Sequence, residues 1–318
     1  MKLVTFRHGQ AESFGLLDDG GVFDLRSAWA DGPADMVQFL QAGEQALVRA
    51  AELAARNPNR VPLDQIRLLA PIRRPDKVLG LAVNYAEHHK ESSRQALPDD
   101  PRRHTTPRPF LMPGTAVAGP GDEIPWPAYS RQIDHEIELA VVIGRTASRV
   151  GVREARSCIA GYTIANDVSA RSVTFAEGRT PRDKDAFFDW LHGKWADAFC
   201  PIGPCIVTAD EIGDPMDLDL ELTVNGETRQ KANTSQMIFD VYEVVSFVSH
   251  LMTLLPGDFI ATGTPSGVAM ATGKWLRGGD VITCRIEKIG ELTNALGQPP
   301  RDFFRPCSAP PAPEGGSS

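Results

Sequence analysis

Asp134-His135-Glu136-Ile137-Glu138-Leu139-Ala140-Val141-Val142-Ile143-Gly144 joins three acids, spaced two apart, to an unbroken apolar run. Residues two apart on a strand share a face. Asp134, Glu136 and Glu138 are therefore expected as a row of carboxylates, with Ile137 and Leu139 turned to the core. Like charges aligned on a strand repel unless a cation lies among them. A hard divalent ion such as Mg²⁺ or Mn²⁺ prefers oxygen donors and removes that cost. The plainer alternative is a solvated strand face. Because the strand runs on into Leu139–Ile143, it sits near a core, and the metal is favoured.

Outward from this stretch lie four further signals. Gly161-Tyr162-Thr163-Ile164-Ala165-Asn166-Asp167-Val168-Ser169-Ala170-Arg171 sets Asp167 after an apolar strand and four residues before Arg171. Such an acid is either a ligand at a strand end or a turn cap. Upstream, Asn84-Tyr85-Ala86-Glu87-His88-His89-Lys90-Glu91 spaces His88 and Glu91 three apart, on one face of a helix. A carboxylate that orients an imidazole prepares a general base for water; the alternative is an exposed polar helix with casual pairs. Lys194 stands among aromatics in Phe187-Phe188-Asp189-Trp190-Leu191-His192-Gly193-Lys194-Trp195. It fits a closed pocket where an ammonium meets developing negative charge, or a surface snorkel. Thr262-Gly263-Thr264-Pro265-Ser266-Gly267-Val268 is a tight turn without the G-K-S/T of a phosphate loop, and its N–H groups and Thr264 suit a carboxylate. Neither histidine stretch forms H-E-x-x-H, the common zinc-peptidase pattern.

Composition narrows the class. Of 318 residues, 42% are hydrophobic and 23% charged, which a disordered chain would not show. A net charge of -8 without a basic run argues against nucleic acid as a partner. No apolar run approaches the ~18 residues that span a bilayer, and Met1-Lys2-Leu3-Val4-Thr5-Phe6-Arg7-His8 lacks the features of a secretory signal. The expectation is a cytoplasmic protein with no membrane partner. Cys158, Cys200, Cys205, Cys284 and Cys307 are scattered and read as reduced structural thiols.

Residues 1–70 read as a small N-terminal α/β domain: strands at Leu3–Phe6, Phe14–Leu17 and Val22–Leu25, then one helix from Asp35 to Arg56. Residues 71–300 read as a β-rich, metal-binding catalytic domain. Its clearest strands are Glu136–Ile143, Leu218–Val224, Asp258–Thr262 and Val281–Glu287, with an amphipathic helix from Met237 to Leu255. Strands outnumber helices and do not alternate with them, which predicts a β-rich α+β fold. Residues 94–109 read as a long functional loop and 301–318 as a disordered Pro/Ser/Gly tail.

In order, Asn84-Tyr85-Ala86-x-His88, Asp134-x-Glu136-x-Glu138-Leu139, Asn166-Asp167-Val168-Ser169-Ala170-Arg171, Gly193-Lys194, Pro201-Ile202-Gly203-Pro204 and Gly263-Thr264-Pro265-Ser266-Gly267-Val268 resemble the fumarylacetoacetate hydrolase family. The likeness covers roughly residues 72–295. It implies a mixed β-roll catalytic domain behind a small N-terminal domain, and a homodimer. It also implies Glu136, Glu138 and Asp167 as ligands of Mg²⁺ or Mn²⁺, and His88 with Glu91 as a water-activating dyad on a lid. Lys194 is the implied catalytic lysine, and Arg171, Thr264 and Tyr85 the implied holders of a small 2-oxo acid substrate. The implied reaction is divalent-metal-dependent hydrolysis of the C–C bond of an acylpyruvate-type 2,4-dioxo acid through a metal-stabilised enolate, as in aromatic catabolism. Oxaloacetate-type decarboxylation and isomerisation of an unsaturated 2-oxo diacid share that enolate and stay open, as does a metal-stabilised binding protein without turnover. Two departures are expected to bear on the substrate pocket: Met112 stands where the family often has lysine, and Thr174 where many members place glutamine.

Overall fold

The computed structural model describes residues 1–92 and 97–306. Strand Ile137–Ile143 runs through the interior of an eleven-stranded sheet, antiparallel to Ile159–Asn166 on one side and Phe259–Ala261 on the other. Every residue in it is buried. Ile137, Leu139, Val141 and Ile143 face one core cluster, while Ala140 and Val142 face a second. A strand covered on both faces reads as a continuous apolar run, which is the pattern the sequence shows.

The sheet continues past Phe259–Ala261 to Val78–Leu81 and the edge strand Pro109–Met112. In the other direction it passes through Cys200–Thr208 to Lys2–His8, Ala11–Asp18 and Gly21–Asp24. The N-terminal strands thus extend the main sheet, with Leu3 opposite Ile206, and residues 1–70 form no sheet of their own. Pairing between residues 200 apart leaves no trace in local sequence. A second, five-stranded sheet runs from Glu227–Asn233 through Asp219–Val224, Val281–Ile286 and Gly290–Leu296 to Glu123–Ile124. Its strand Val281–Ile286 alternates, with Ile282, Cys284 and Ile286 in the core, as expected of a sheet covered on one face. The architecture is the β-rich α+β arrangement read from the sequence.

Two helices differ from expectation. The helix expected over 35–56 is two, Met36–Gln41 and Gly43–Arg56, divided where Gly43 takes a left-handed φ of +69°. The helix expected over 237–255 is confined to Val241–Leu251, because Asp240 and Glu243 form a capping box that fixes its start. Within the loop expected at 94–109, residues 94–96 lie outside the described residues. Pro101–His104 forms a helical turn whose Arg102 pairs with Asp240 and Glu243. Of the tail expected at 301–318, residues 307–318, including Cys307, lie outside the described residues. Cys158, Cys200, Cys205 and Cys284 are buried and unbridged. Among the described residues, no helix is long and apolar enough to cross a membrane.

Candidate active site

Glu136, Glu138 and Asp167 are all buried, and each offers a carboxylate oxygen within 4.8 Å of the others. Glu138 belongs to the central strand. Asp167 follows the end of its neighbour Ile159–Asn166, so two adjacent strands deliver acids at one level. Glu136 sits just before the regular strand and is held there by both of its backbone groups. Its N–H donates to Asn166 Oδ1 at 3.0 Å, and its carbonyl accepts from the Asp167 N–H at 2.9 Å. Asp134 does not join this cluster, contrary to the expected row of three. Its short strand, Ile133–Asp134, pairs separately with Ser169–Ala170, so the alternation breaks before Ile137. The Asp134 carboxylate instead accepts the N–H groups of Ala269 at 2.5 Å and Met270 at 3.2 Å, and Arg171 Nε at 3.0 Å.

Lys194 supplies the charge that keeps these acids in place. Its ammonium donates to Glu136 Oε2 at 2.7 Å and to Asp167 Oδ2 at 2.6 Å, and the side chain is fully enclosed. Gly193 makes this reach possible: a Cβ there would meet the Ala170 carbonyl at 2.2 Å. Arg171 adds a second cation, its guanidinium also in contact with Glu136. Burial pushes the Glu136 carboxyl up, but Lys194, Arg171 and His88 outweigh burial and hold it at about 2. Burial lifts Asp167 to about 6, with Lys194 opposing and Glu136 reinforcing the rise. Burial, then Asp167 and Glu136, push Glu138 well above the carboxylate range.

Three oxygen donors of this hardness fit Mg²⁺ or Mn²⁺. Asp167 Oδ1 adds to that fit, being buried without a hydrogen-bond partner. An ion needs the acids ionised, so binding expels protons held by Asp167 and Glu138. Both pKa values are raised, so the competition strengthens as pH falls. Mn²⁺ affinity is therefore expected to fall by at least about tenfold per pH unit below about 6. Calorimetric titration across that range checks this; an affinity indifferent to pH would contradict it.

His88 and Glu91 come together on helix Ala86–Ser92, with Nδ1 and Oε1 2.9 Å apart. The glutamate is itself anchored, because both its oxygens accept from the Gly267 N–H, at 3.1 and 3.0 Å. At the other end of the same turn, the Gly263 N–H donates to Glu138 Oε2 at 2.7 Å. The turn does hold carboxylates through its backbone, as its sequence suggests, but those described are the protein's own. Gly267 has a left-handed φ of +105°, and a Cβ there would strike the Arg229 carbonyl at 2.2 Å. Thr264 donates to the Ile137 carbonyl at 2.9 Å and accepts from Gln230 Nε2 at 2.8 Å. Asn84 staples the floor, bonding both backbone groups of Phe239 and the Thr262 carbonyl.

His88, the three acids, Lys194, Arg171 and Thr264 line a cavity of about 190 Å³. That is small beside the ~300–1,000 Å³ of drug-sized ligand sites and suits a compact acid. Phe110 and Trp190 form an aromatic wall, edge to face at 5.0 Å, with Lys194 Nζ 5.7 and 5.9 Å from their ring centres. Tyr85 lies in the core, its hydroxyl buried without a partner, and is not part of the described lining. Nor are Met112 and Thr174, so the expectation that these departures reach the pocket is corrected. Met112 pairs with Val78 and packs in the second core, and the Thr174 hydroxyl donates to the Phe304 carbonyl at 2.6 Å.

Phe110, Trp190, Met270 and Gln230 were not among the residues singled out from sequence. Phe110 and Trp190 carry a usable signal, as aromatics close to Met112 and Lys194; Met270 and Gln230 carry none.

Residues 77–296 match the family described as Fumarylacetoacetate (FAA) hydrolase C-terminal. Oxaloacetate tautomerase Fahd2a, mitochondrial, from Rattus norvegicus is 38% identical over 302 residues, covering 93% of this chain and 91% of its own. Maleylpyruvate hydrolase from Sphingobium sp. SYK-6, solved with manganese(II) and pyruvate, superposes with a TM-score of 0.75 at 32% identity, over 94% of this chain and 100% of its own. The 5-carboxymethyl-2-hydroxymuconate delta-isomerase of Mycobacterium smegmatis gives a TM-score of 0.69 at 33% identity, over 95% and 100%.

Proposed function

The chain belongs to the fumarylacetoacetate hydrolase family of enzymes, and from that premise we propose that it carries a small 2-oxo acid through its enolate, with keto–enol tautomerisation of an oxaloacetate-type diacid as its reaction. One observation carries the reading: the buried base His88 is locked by Glu91, which Gly267 anchors, and faces three clustered acids across a small cavity.

With Nδ1 committed to Glu91, Nε2 is the ring nitrogen left to exchange a proton. His88 takes a proton from C3, and the C–H electron pair becomes the C2–C3 double bond while negative charge moves to the 2-oxo oxygen. Glu91 stabilises the imidazolium so formed. The proton then returns to that oxygen, giving the enol; the reverse path gives the ketone. Phe110 and Trp190 keep the reacting carbon away from bulk water. Lys194 and Arg171 keep Glu136 ionised and fixed, so that the acids meet a cation without rearrangement. A bound Mg²⁺ or Mn²⁺ would supply positive charge beside the oxygen that becomes negative.

Tautomerisation is supported by the 38% identity to the oxaloacetate tautomerase over 93% of this chain. Hydrolysis of an acylpyruvate, the reaction favoured from sequence, remains the second reading, supported by the likeness to the maleylpyruvate hydrolase. In it His88 takes a proton from water, whose oxygen adds to the C4 carbonyl; the C3–C4 bond then breaks, its electron pair becoming the C2–C3 double bond of the pyruvate enolate while the acyl group leaves as a carboxylic acid.

The test begins with metal-stripped protein resupplied with Mg²⁺ or Mn²⁺. Ultraviolet absorbance follows enol oxaloacetate, while pyruvate release and the loss of acetylpyruvate and fumarylpyruvate are assayed in parallel. Faster enol–keto equilibration without pyruvate release is the expected result. Cleavage of an acylpyruvate with oxaloacetate untouched would replace the proposal by the hydrolase reading. No response from any substrate would remove both.

A further inference from the structure

We propose that Gln230 is the positioning residue that sets the His88–Glu91 base against the acid triad, acting through the 263–267 turn. Gln230 sits on Glu227–Asn233, an edge strand of the five-stranded sheet, among charged and polar residues that give no sign of a role. Its side chain is nonetheless buried, and both ends of the amide are used. Oε1 accepts from the Ile137 N–H at 3.1 Å and lies 3.3 Å from His135 Nδ1. Nε2 donates to Thr264 Oγ1 and to the Pro265 carbonyl, each at 2.8 Å. Only an amide of this length offers one acceptor and two donors at those points.

The consequence lies in what those contacts join. Ile137 stands between Glu136 and Glu138, so one end of Gln230 grips the backbone that carries two of the acids. The other end grips the middle of a turn whose first glycine holds Glu138 and whose last holds Glu91. The spacing between base and acids is therefore set by a side chain outside the cavity lining. Misplacement of about 1 Å in such a site costs on the order of 10²-fold in rate. The kinetic part of this inference rests on the proposed role of His88 as base; the geometric part does not.

Gln230→Leu removes all of these contacts at similar size. Gln230→Glu keeps the acceptor, lacks the donors, and serves if the leucine variant does not fold. In the metal-free protein, amide exchange at Gly263, Thr264, Ser266 and Gly267 is expected to quicken by about tenfold or more, with strand Ile137–Ile143 as protected as before. With metal restored, kcat is expected to fall about 10–100-fold while KM stays within about threefold. In a Glu91→Gln background the Gln230 substitution should lose most of that effect, because both act on one base. Unchanged exchange at the turn, or effects that multiply in the double variant, would overturn the proposal. If the wild-type protein turned over no 2-oxo acid, the reading of His88 would fall, and the exchange measurement alone would decide the placement of Gln230.

Discussion

His88→Asn is expected to lower turnover by about 10²–10⁴-fold while leaving Mn²⁺ affinity and melting temperature close to wild type. The imidazole is nearly enclosed and faces the cavity, so its loss removes the proton carrier. The acids keep their own supports: Glu136 retains Lys194 and Arg171, and Glu138 retains the Gly263 N–H. Asparagine still offers a polar atom toward Glu91, which limits structural damage. Steady-state kinetics with calorimetric Mn²⁺ titration separates the two properties. A matching loss of metal affinity would place His88 in the metal site and not in proton transfer.

The second large effect belongs to Lys194→Met. The ammonium is buried between Glu136 and Asp167, and their charges hold it protonated against burial. Removing one partner of a buried ion pair costs about 3–5 kcal/mol, because the remaining charge has no solvent to turn to. Metal-free Lys194→Met is therefore expected to melt well below wild type. Saturating Mg²⁺ or Mn²⁺ should recover much of the loss, since a cation among the same oxygens restores the balance. The melting-temperature gain on adding metal should then exceed that of wild type. An equal gain in both proteins would mean that Lys194 does not share the acids' charge.

The parts of this site legible in sequence are those in which a local pattern reports burial. The run Leu139–Ile143 marks a strand covered on both faces, and that burial gives Glu138 and Glu136 their meaning. The three-residue step from His88 to Glu91 is a helical contact and needs no tertiary knowledge. Asp134 leaves the row expected from a period of two because the stretch before Ile137 is irregular, and a separate short strand turns that carboxylate toward Ala269 and Arg171. Gln230 was invisible because its neighbours Thr228, Arg229 and Lys231 look like a solvated hairpin, and its partners lie some 35 and 95 residues away. The pairing of Lys2–His8 with Cys200–Thr208 was hidden for the same reason. Gly267 reads as a turn residue and Gly193 as no more than the neighbour of Lys194, yet at each a Cβ would come within 2.2 Å of a carbonyl oxygen.

Tautomerisation, decarboxylation and C–C hydrolysis all require the enolate of a 2-oxo acid, so the most direct measurement asks whether the protein makes one. Pyruvate is incubated in D₂O with metal-stripped protein, before and after Mg²⁺ is added, and deuterium in its methyl group is counted by mass spectrometry. Exchange that appears only with metal, and disappears in both His88→Asn and Glu138→Gln, is the predicted result. Mg²⁺ bound through Glu138 with no exchange, or exchange that survives in His88→Asn, would contradict it.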